Sequence, residues 1–442
     1  MDESGDASYL LRIARRAVAE DPLCDACVGR LVADRSFGLT NDQRGRALRT
    51  MLALAEDVPF EAPDATECWV CEGHTQRVDT WAERVVEALD GIDFATYQVG
   101  CRVPPLLEEN DEFLRELVEL DVDAGEPLNR ELNREVGKRV GKQMGKMVDL
   151  ERPDVVALLH IERGTVEVSI NPAFVYGRYR KQERDIPQTE WPCTDCGSSG
   201  KQLGPEGTEP CDGCDGTGYR YDRSVEGLTA PHVVEAMDGD EGVFHGAGRE
   251  DVDARMLGTG RPFVIEVKNP RIRRPDLDEI AAAIESNASG AVEVSDLAFA
   301  NHDMVERVKE LPASKTYEID LRFDSAVSRD ELVDAIARLS GATVEQETPN
   351  RVSHRRADLV RERTVYDVTI VDQDGERARL RIHGEGGLYI KELAHGDDGR
   401  TVPSLAGLLD IDVSVDSLDV VAVEGEEEPF DQEEYLLTGV SS

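Results

Sequence analysis

Apolar residues recur at helical spacing in YLLRIARRAV near the start of the chain and again in TNDQRGRALRTMLALAED, where Thr40 or Asn41 supplies a capping oxygen. WAERVVEALDGI and NDEFLRELVEL carry the same amphipathic stripe, and YQVGCRVP lies between them as a strand. VVALLHIER and TVEVSINP predict a strand pair. Later, VEVSDLAFA, TYEIDLRF, TVYDVTIVD, RARLRIHG and SVDSLDVVAVEG predict the strands of one sheet, with helix-forming stretches between some of them. The expected architecture is α+β: an accessory half over residues 1–225, a second half over 226–436 on a mixed, mostly antiparallel sheet with flanking helices, and a tail at 437–442. EGEEEPFDQEE near the end reads as a solvated acidic segment.

Length and charge narrow this picture. A chain of 442 residues has room for two to four domains, each with its own core. No apolar run approaches the roughly 20 residues that span a bilayer, and MDESGDASYLLRIARR lacks the apolar centre of a secretory signal. A cytoplasmic protein with no membrane partner is expected. Taken alone, the formal net charge of -41 disfavours nucleic acid as a partner, because an acidic surface repels phosphate. Acidic residues, however, are spread along the whole chain, and only nine of the 50 basic residues are Lys. That distribution resembles proteins of salt-loving organisms, and at ~1 M salt the Debye length is about 3 Å, so local basic patches matter more than net charge.

Eight of the nine cysteines form four Cys-x-x-Cys pairs, Cys24/Cys27, Cys68/Cys71, Cys193/Cys196 and Cys211/Cys214. In a reducing cytosol disulfides are disfavoured, whereas two such pairs supply four thiolates for a closed, structural zinc site. Gly and small polar residues surround Cys193, Cys196, Cys211 and Cys214, which lets backbone amides turn toward the sulfurs. Cys24 and Cys27 must meet Cys68 and Cys71 through the fold. Redox-active thiols are the alternative reading, and Cys101 reads as a small buried residue.

Four basic stretches break the acidic background, at residues 129–147, 178–184, 249–274 and 351–363. Residues 129–147 hold six Lys/Arg against two Glu, with Lys138, Lys142 and Lys146 at i, i+4 spacing, each preceded by Gly. This stripe is expected to contact phosphate, against the plainer reading of a solvated face. In YGRYRKQERD, Arg178, Arg180, Lys181 and Arg184 interleave with Tyr176 and Tyr179, which suits phosphate gripping beside base stacking. A helix, a strand pair and the GRYRK run together resemble the THUMP module of tRNA-modifying enzymes, over about residues 75–190.

HGAGREDVDARMLGTGRPFVIEVKNPRIRRPD, residues 245–276, delivers turn residues onto a strand, a place where a sheet presents a carboxylate into a cleft. Asp251 and Asp253 read as solvated acids, as calcium ligands or as a nucleophile with a spectator. Arg255 and Arg261 weigh against calcium.

GRED, Gly248 to Asp251, is similar to the catalytic Gly-Arg-x-Asp loop of pseudouridine synthases. The longer GREDVDARMLGTGRPF resembles that of the archaeal and eukaryotic tRNA synthases acting on uridines 54 and 55 of the T-loop. KTYEIDLRF, GEGGLYIKELAHGDDGRTVPSL, CDACVGRL, TNDQRGRALR and RVSHRRADLVR agree in order with the same branch. The resemblance implies Asp251 as nucleophile and Lys391 as the cation that keeps it ionised, with Arg249 next. It further implies Tyr317 stacking on the target uracil, Tyr389 lining the same pocket, tRNA held by its T-arm as partner, and no cofactor for catalysis. Arg355 and Arg356, in RVSHRRADLVRER, are expected to bind the RNA backbone, with His354 a phosphate contact or a surface residue.

A different class stays open. The second cysteine set also resembles the zinc repeats of Hsp40-type chaperones, which would make the chain a non-enzymatic zinc-dependent RNA-binding or chaperone-like protein. A THUMP-bearing thiolase or methyltransferase would need a nucleotide or cofactor loop, and no such fingerprint is visible.

Overall fold

The computed structural model describes residues 7–20, 22–120, 124–204, 207–349 and 359–437. It divides after Asn171 into two compact units. The first contains helices α1 (Ala7–Val18), α2 (Asp25–Arg30), α3 (Asn41–Glu56), α4 (Val78–Ala88), α5 (Pro105–Leu117) and α6 (Leu128–Met144). Its sheet comprises β1 (Thr96–Arg102), β2 (Met147–Val148), β3 (Val155–His160) and β4 (Thr165–Ile170), in the order β2-β1-β3-β4. Thr40 caps α3 as expected, in a capping box with Gln43 whose side chain accepts from the Thr40 N–H at 3.0 Å.

Helix α6 buries Leu128, Leu132, Val136 and Val140, residues four apart and therefore on one face. Its glycine strip serves packing. The Tyr97 hydroxyl of β1 donates to the Gly137 carbonyl at 2.6 Å, and a Cβ on Gly141 would lie 2.6 Å from that hydroxyl. Small residues here let the helix approach the sheet closely, and the helix ends where Gly145 takes φ 67°.

In the second unit the strands are β5 (Ala173–Lys181), β6 (Lys201–Gly204), β7 (Gly207–Pro210), β8 (Glu241–Gly246), β9 (Arg255–Lys268), β10 (Val292–Ala300), β11 (Ala313–Phe323) and β12 (Thr343–Glu347). They continue with β13 (Val360–Asp374), β14 (Arg377–Gly384), β15 (Thr401–Val402) and β16 (Val413–Gly425). The main sheet runs β10-β5-β9-β16-β11-β14-β13-β12-β15, with β8 also pairing β9. β16 joins β9 in parallel through Asp419 and Val420, and the other pairings are antiparallel. Around it lie α7 (Val225–Ala236), α8 (Leu277–Ala288), α9 (Asp303–Glu310), α10 (Arg329–Leu339), α11 (Ile390–His395) and α12 (Leu405–Leu409). The expected mixed, mostly antiparallel sheet with flanking helices is present. In β9, Phe263, Val264 and Ile265 are consecutive and all fully buried, because a central strand covered on both faces does not alternate.

The division at 171/172 lies well before the expected boundary at 225/226. The GRYRK run is the reason. It forms β5, hydrogen-bonded to β9 on one side and β10 on the other, so this stretch and the second cysteine set after it belong to the second unit. No described helix is long and apolar enough to cross a membrane.

Candidate active site

The GRED loop connects β8 to β9, two paired strands that place its ends close together. Gly248 has φ 68°, and it is this left-handed turn that calls for glycine, since a Cβ there would come within 3.4 Å only of the movable Lys315 Nζ, at 3.3 Å. The loop opens onto a cavity of about 220 Å³ whose lining includes Arg249, Asp251, Lys315, Tyr317, Tyr389 and Lys391. Gln188 and Trp191 line it as well, from the segment just ahead of the second cysteine set. The five residues read from three separate motifs thus share one cavity.

Each is placed by a different element. Tyr317 stands on β11, opposite Ile382 of β14 and Val420 of β16. Burial pushes its phenol up to about 12, with Arg261 pulling the other way and Asp251 adding to the rise. It therefore stays protonated through neutral pH. Tyr389 caps α11, and Lys391 is in that helix's first turn. Gln346, buried on β12, accepts from the Tyr389 N–H at 2.8 Å and donates to the Tyr389 carbonyl at 2.9 Å. This amide clamp sets where α11 begins, and so where Lys391 points.

The Lys391 ammonium is 3.4 Å from Asp251 Oδ2 and 3.0 Å from Asp253 Oδ2. One cation thus serves two carboxylates. Partial burial would raise the Asp253 carboxyl, but the Lys391 hydrogen bond and charge outweigh it and hold the group below the ordinary carboxylate range. By spacing alone Asp253 reads as a solvated acid, a calcium ligand or a spectator. In space it is the second arm of the lysine.

The basic run ahead of the knuckle is used differently from its expected role in RNA binding. Lys181 is fully buried and cannot reach a phosphate, and Tyr176 and Tyr179 are buried too. Arg178 donates to the carbonyls of Thr259 at 2.7 Å and Val423 at 2.6 Å, and Arg180 pairs with Glu293 at 2.9 Å. Arg184 pairs with Asp419 at 2.8 Å and donates to the Asp253 carbonyl at 2.6 Å. Alternating strand geometry points these side chains into the sheet's own neighbours, which a linear run of Arg and Tyr does not reveal. Lys138 and Lys142 are exposed on α6, the former 3.1 Å from Glu135, while Lys146 lies 5.2 Å over the Phe94 ring. Arg355, Arg356 and His354 fall outside the described residues.

Both cysteine sets come together. The four sulfurs of Cys24, Cys27, Cys68 and Cys71 lie within 4.8 Å of one another, as do those of Cys193, Cys196, Cys211 and Cys214. Sulfur separations of 3.6 and 3.7 Å exclude disulfides, whose S–S length is about 2.05 Å. They match the edge of a tetrahedron with metal–sulfur bonds of about 2.3 Å. Backbone amides support the sulfurs, Cys27 N–H to Cys24 Sγ at 3.4 Å and Gly218 N–H to Cys214 Sγ at 3.2 Å. Four thiolates around a divalent ion leave net negative charge, and buried Arg30 answers it by donating to Cys27 Sγ at 3.2 Å. Either group could hold a metal ion in a closed site, with no position left for a reacting water.

Comparison with known proteins identifies the family. Residues 174–424 match the family model "Pus10, C-terminal", and residues 81–160 match "Pus10 THUMP domain, archaeal". The chain is 58% identical to the tRNA pseudouridine synthase Pus10 of Halorubrum lacusprofundi, over 97% of this chain and 99% of that one. It is 43% identical to the protein of that name from Methanothrix thermoacetophila, over 95% of each chain. The fold is that of a pseudouridine-synthase-type protein with a THUMP domain. The chain belongs to the Pus10 family.

Proposed function

We propose that the protein is a tRNA pseudouridine synthase that isomerises uridines 54 and 55 in the T-loop, with Asp251 as nucleophile. The observation that carries this reading is the meeting of Asp251, Arg249, Tyr317, Tyr389 and Lys391 at one cavity, with the lysine ammonium 3.4 Å from the aspartate.

The chemistry follows from these groups. Asp251 attacks the ribose C1′, or assists departure of the base, and the N1–C1′ bond breaks. The uracil turns and C5 bonds to C1′; where attack had joined Asp251 to C1′, that oxygen–carbon bond breaks in the same step and returns the free carboxylate. The hydrogen on C5 leaves as a proton and N1 ends protonated, so nothing is oxidised and no external reactant is consumed. A carboxylate does this only when ionised and held still, which a fixed ammonium favours. Tyr317, a neutral phenol, offers a stacking face and a hydroxyl that relays a proton. A base inside a folded loop has to be turned out of its stack to enter a cavity of this size.

Zinc is the ion proposed for both four-cysteine groups, in structural roles, and no cofactor is assigned to catalysis. Exposed Lys138 and Lys142 are proposed phosphate contacts in the THUMP-bearing unit, and the enzyme is expected to act in the cytoplasm on the tRNA T-arm.

The test is incubation with unmodified tRNA transcript at molar salt without cofactor, followed by pseudouridine mapping. Product at positions 54 and 55, lost in Asp251→Asn with tRNA binding intact, supports the reading. Activity retained in Asp251→Ala overturns the mechanism.

A further inference from the structure

Beneath the GRED loop, where Glu250 and Arg261 form part of the cavity's lining, lies a set of buried charges that the reaction does not consume. Glu250 projects inward with its carboxylate 1% exposed. Arg261 Nε is 2.9 Å from Glu250 Oε2, and Lys181 Nζ is 3.6 Å from Oε1. The Tyr179 hydroxyl donates to Glu250 Oε2 at 2.9 Å and accepts from Gln188 Nε2 at 2.9 Å.

We propose that Lys181 and Glu250 are positioning residues for Asp251, acting by pinning the backbone of the catalytic loop from inside. The proposal rests on the reading of Asp251 as the reacting carboxylate. Lys181 Nζ donates to the Ile186 carbonyl at 2.7 Å and the Val252 carbonyl at 3.2 Å, and lies 3.5 Å from the Asp251 carbonyl. Arg261 holds the Ala247 carbonyl at 2.7 Å, and Gln188 holds that of Gly248 at 2.8 Å. Carbonyls on both sides of Asp251 are thus held by side chains from outside the loop, of which Lys181 and Arg261 are buried, and Glu250 is the anion that lets these two cations remain buried together.

Two arguments separate positioning from plain stability. First, a buried ion pair is a poor way to stabilise a fold, since apolar residues of similar volume often do as well or better. Its distinct product here is directional hold on specific carbonyls. Second, this chain uses Lys for only nine of its 50 basic residues, yet places one at 0% exposure here. A compact ammonium can aim three donors at three convergent carbonyls, whereas a planar guanidinium cannot.

The experiment compares wild type with Lys181→Arg, Glu250→Gln, the double variant Lys181→Met/Glu250→Gln and Asp251→Asn, on the full chain with tRNA transcript at molar salt. The double variant keeps the net buried charge at +1, because Lys181, Arg261 and Glu250 sum to +1 and Arg261 alone is +1. Expected for the double variant, assayed well below its Tm, are a kcat about a hundredfold lower, the loss that misplacement by about 1 Å brings, and a KM for tRNA within twofold of wild type; its Tm should fall, because Arg261 and the Ile186 carbonyl lose buried partners. Lys181→Arg should not rescue kcat despite keeping the charge. Wild-type kcat in the double variant, or in Lys181→Arg, overturns the proposal, as does a double variant that cannot fold, which would make the pair a stability element. Asp251→Asn separates the two claims. Activity retained there overturns the nucleophile reading, while its loss beside a fully active double variant overturns the positioning role alone.

Discussion

Gln346→Met removes both arms of the clamp on Tyr389 while keeping nearly the same volume, so no cavity term enters. The native amide is fully buried and makes bonds of 2.8 and 2.9 Å to one backbone N–H and one carbonyl. The Tyr389 carbonyl still accepts from the Leu393 N–H at 2.9 Å, so it loses only one of two bonds, about 0.5–1.5 kcal/mol, while the buried Tyr389 N–H costs about 1–3 kcal/mol. Partial relaxation of the helix start places the expected loss at about 2 kcal/mol. The catalytic effect should be larger than simple destabilisation implies. Lys391 lies two residues beyond the clamped peptide, and its contacts at 3.0 and 3.4 Å leave little slack. Displacement by about 1 Å corresponds to roughly a hundredfold in rate. Urea unfolding at molar salt reads the first quantity, and single-turnover pseudouridine formation under fully folded conditions reads the second. A variant within about 0.5 kcal/mol of wild type and with wild-type rate would refute the idea that Gln346 sets the start of α11.

Other expectations follow from the same geometry. Lys391→Met removes an attraction to Asp251 that at 3.4 Å amounts to between about 1 and about 5 kcal/mol, depending on local screening. Because the pair is partly exposed, a value near 2 kcal/mol and a rate loss of roughly thirtyfold are expected in single-turnover assays. The Lys391–Asp253 contact should be acid-sensitive. With its carboxyl held below the ordinary range, Asp253 contributes stability that is present above its unfolded pKa and lost as pH falls through the lower folded value. Acid titration of wild type against Asp253→Asn checks this, and identical acid unfolding curves would refute it. Elemental analysis should find two zinc ions per chain, falling by one in Cys27→Ser and by one in Cys211→Ser. Less than one ion in wild type would reject both assignments. Finally, tRNA affinity should fall with salt less steeply than the ~0.7–0.9 log units per phosphate contact of a basic binder, because cation uptake at acidic faces opposes counterion release. A steep loss between low and molar salt would contradict this.

Much of the molecule was legible along the chain because it depends on local periodicity and close spacing. β9, β10, β11, β13, β14 and β16 of the main sheet, the Thr40 cap, the Cys-x-x-Cys pairs and the three motifs bearing Asp251, Tyr317 and Lys391 are all short-range patterns. The use of charge was not legible, because it depends on which residues distant in sequence become neighbours. Arg178, Arg180 and Lys181 look like an RNA grip until β5 is inserted between β9 and β10, which turns their side chains into tethers for strands and loop. The same pairing moves the unit boundary from the expected 225/226 to 171/172. Asp253 becomes the closer partner of Lys391, 138 residues away, only when α11 is packed beside the GRED loop. Gln346 carries no motif at all. By itself the sequence determined which elements form, which cysteines pair up and which residue types do the chemistry. Tertiary structure alone decided which charges face the cavity and which are buried to hold it in shape, since long-range hydrogen bonding and desolvation set that division and neither has a spacing in sequence.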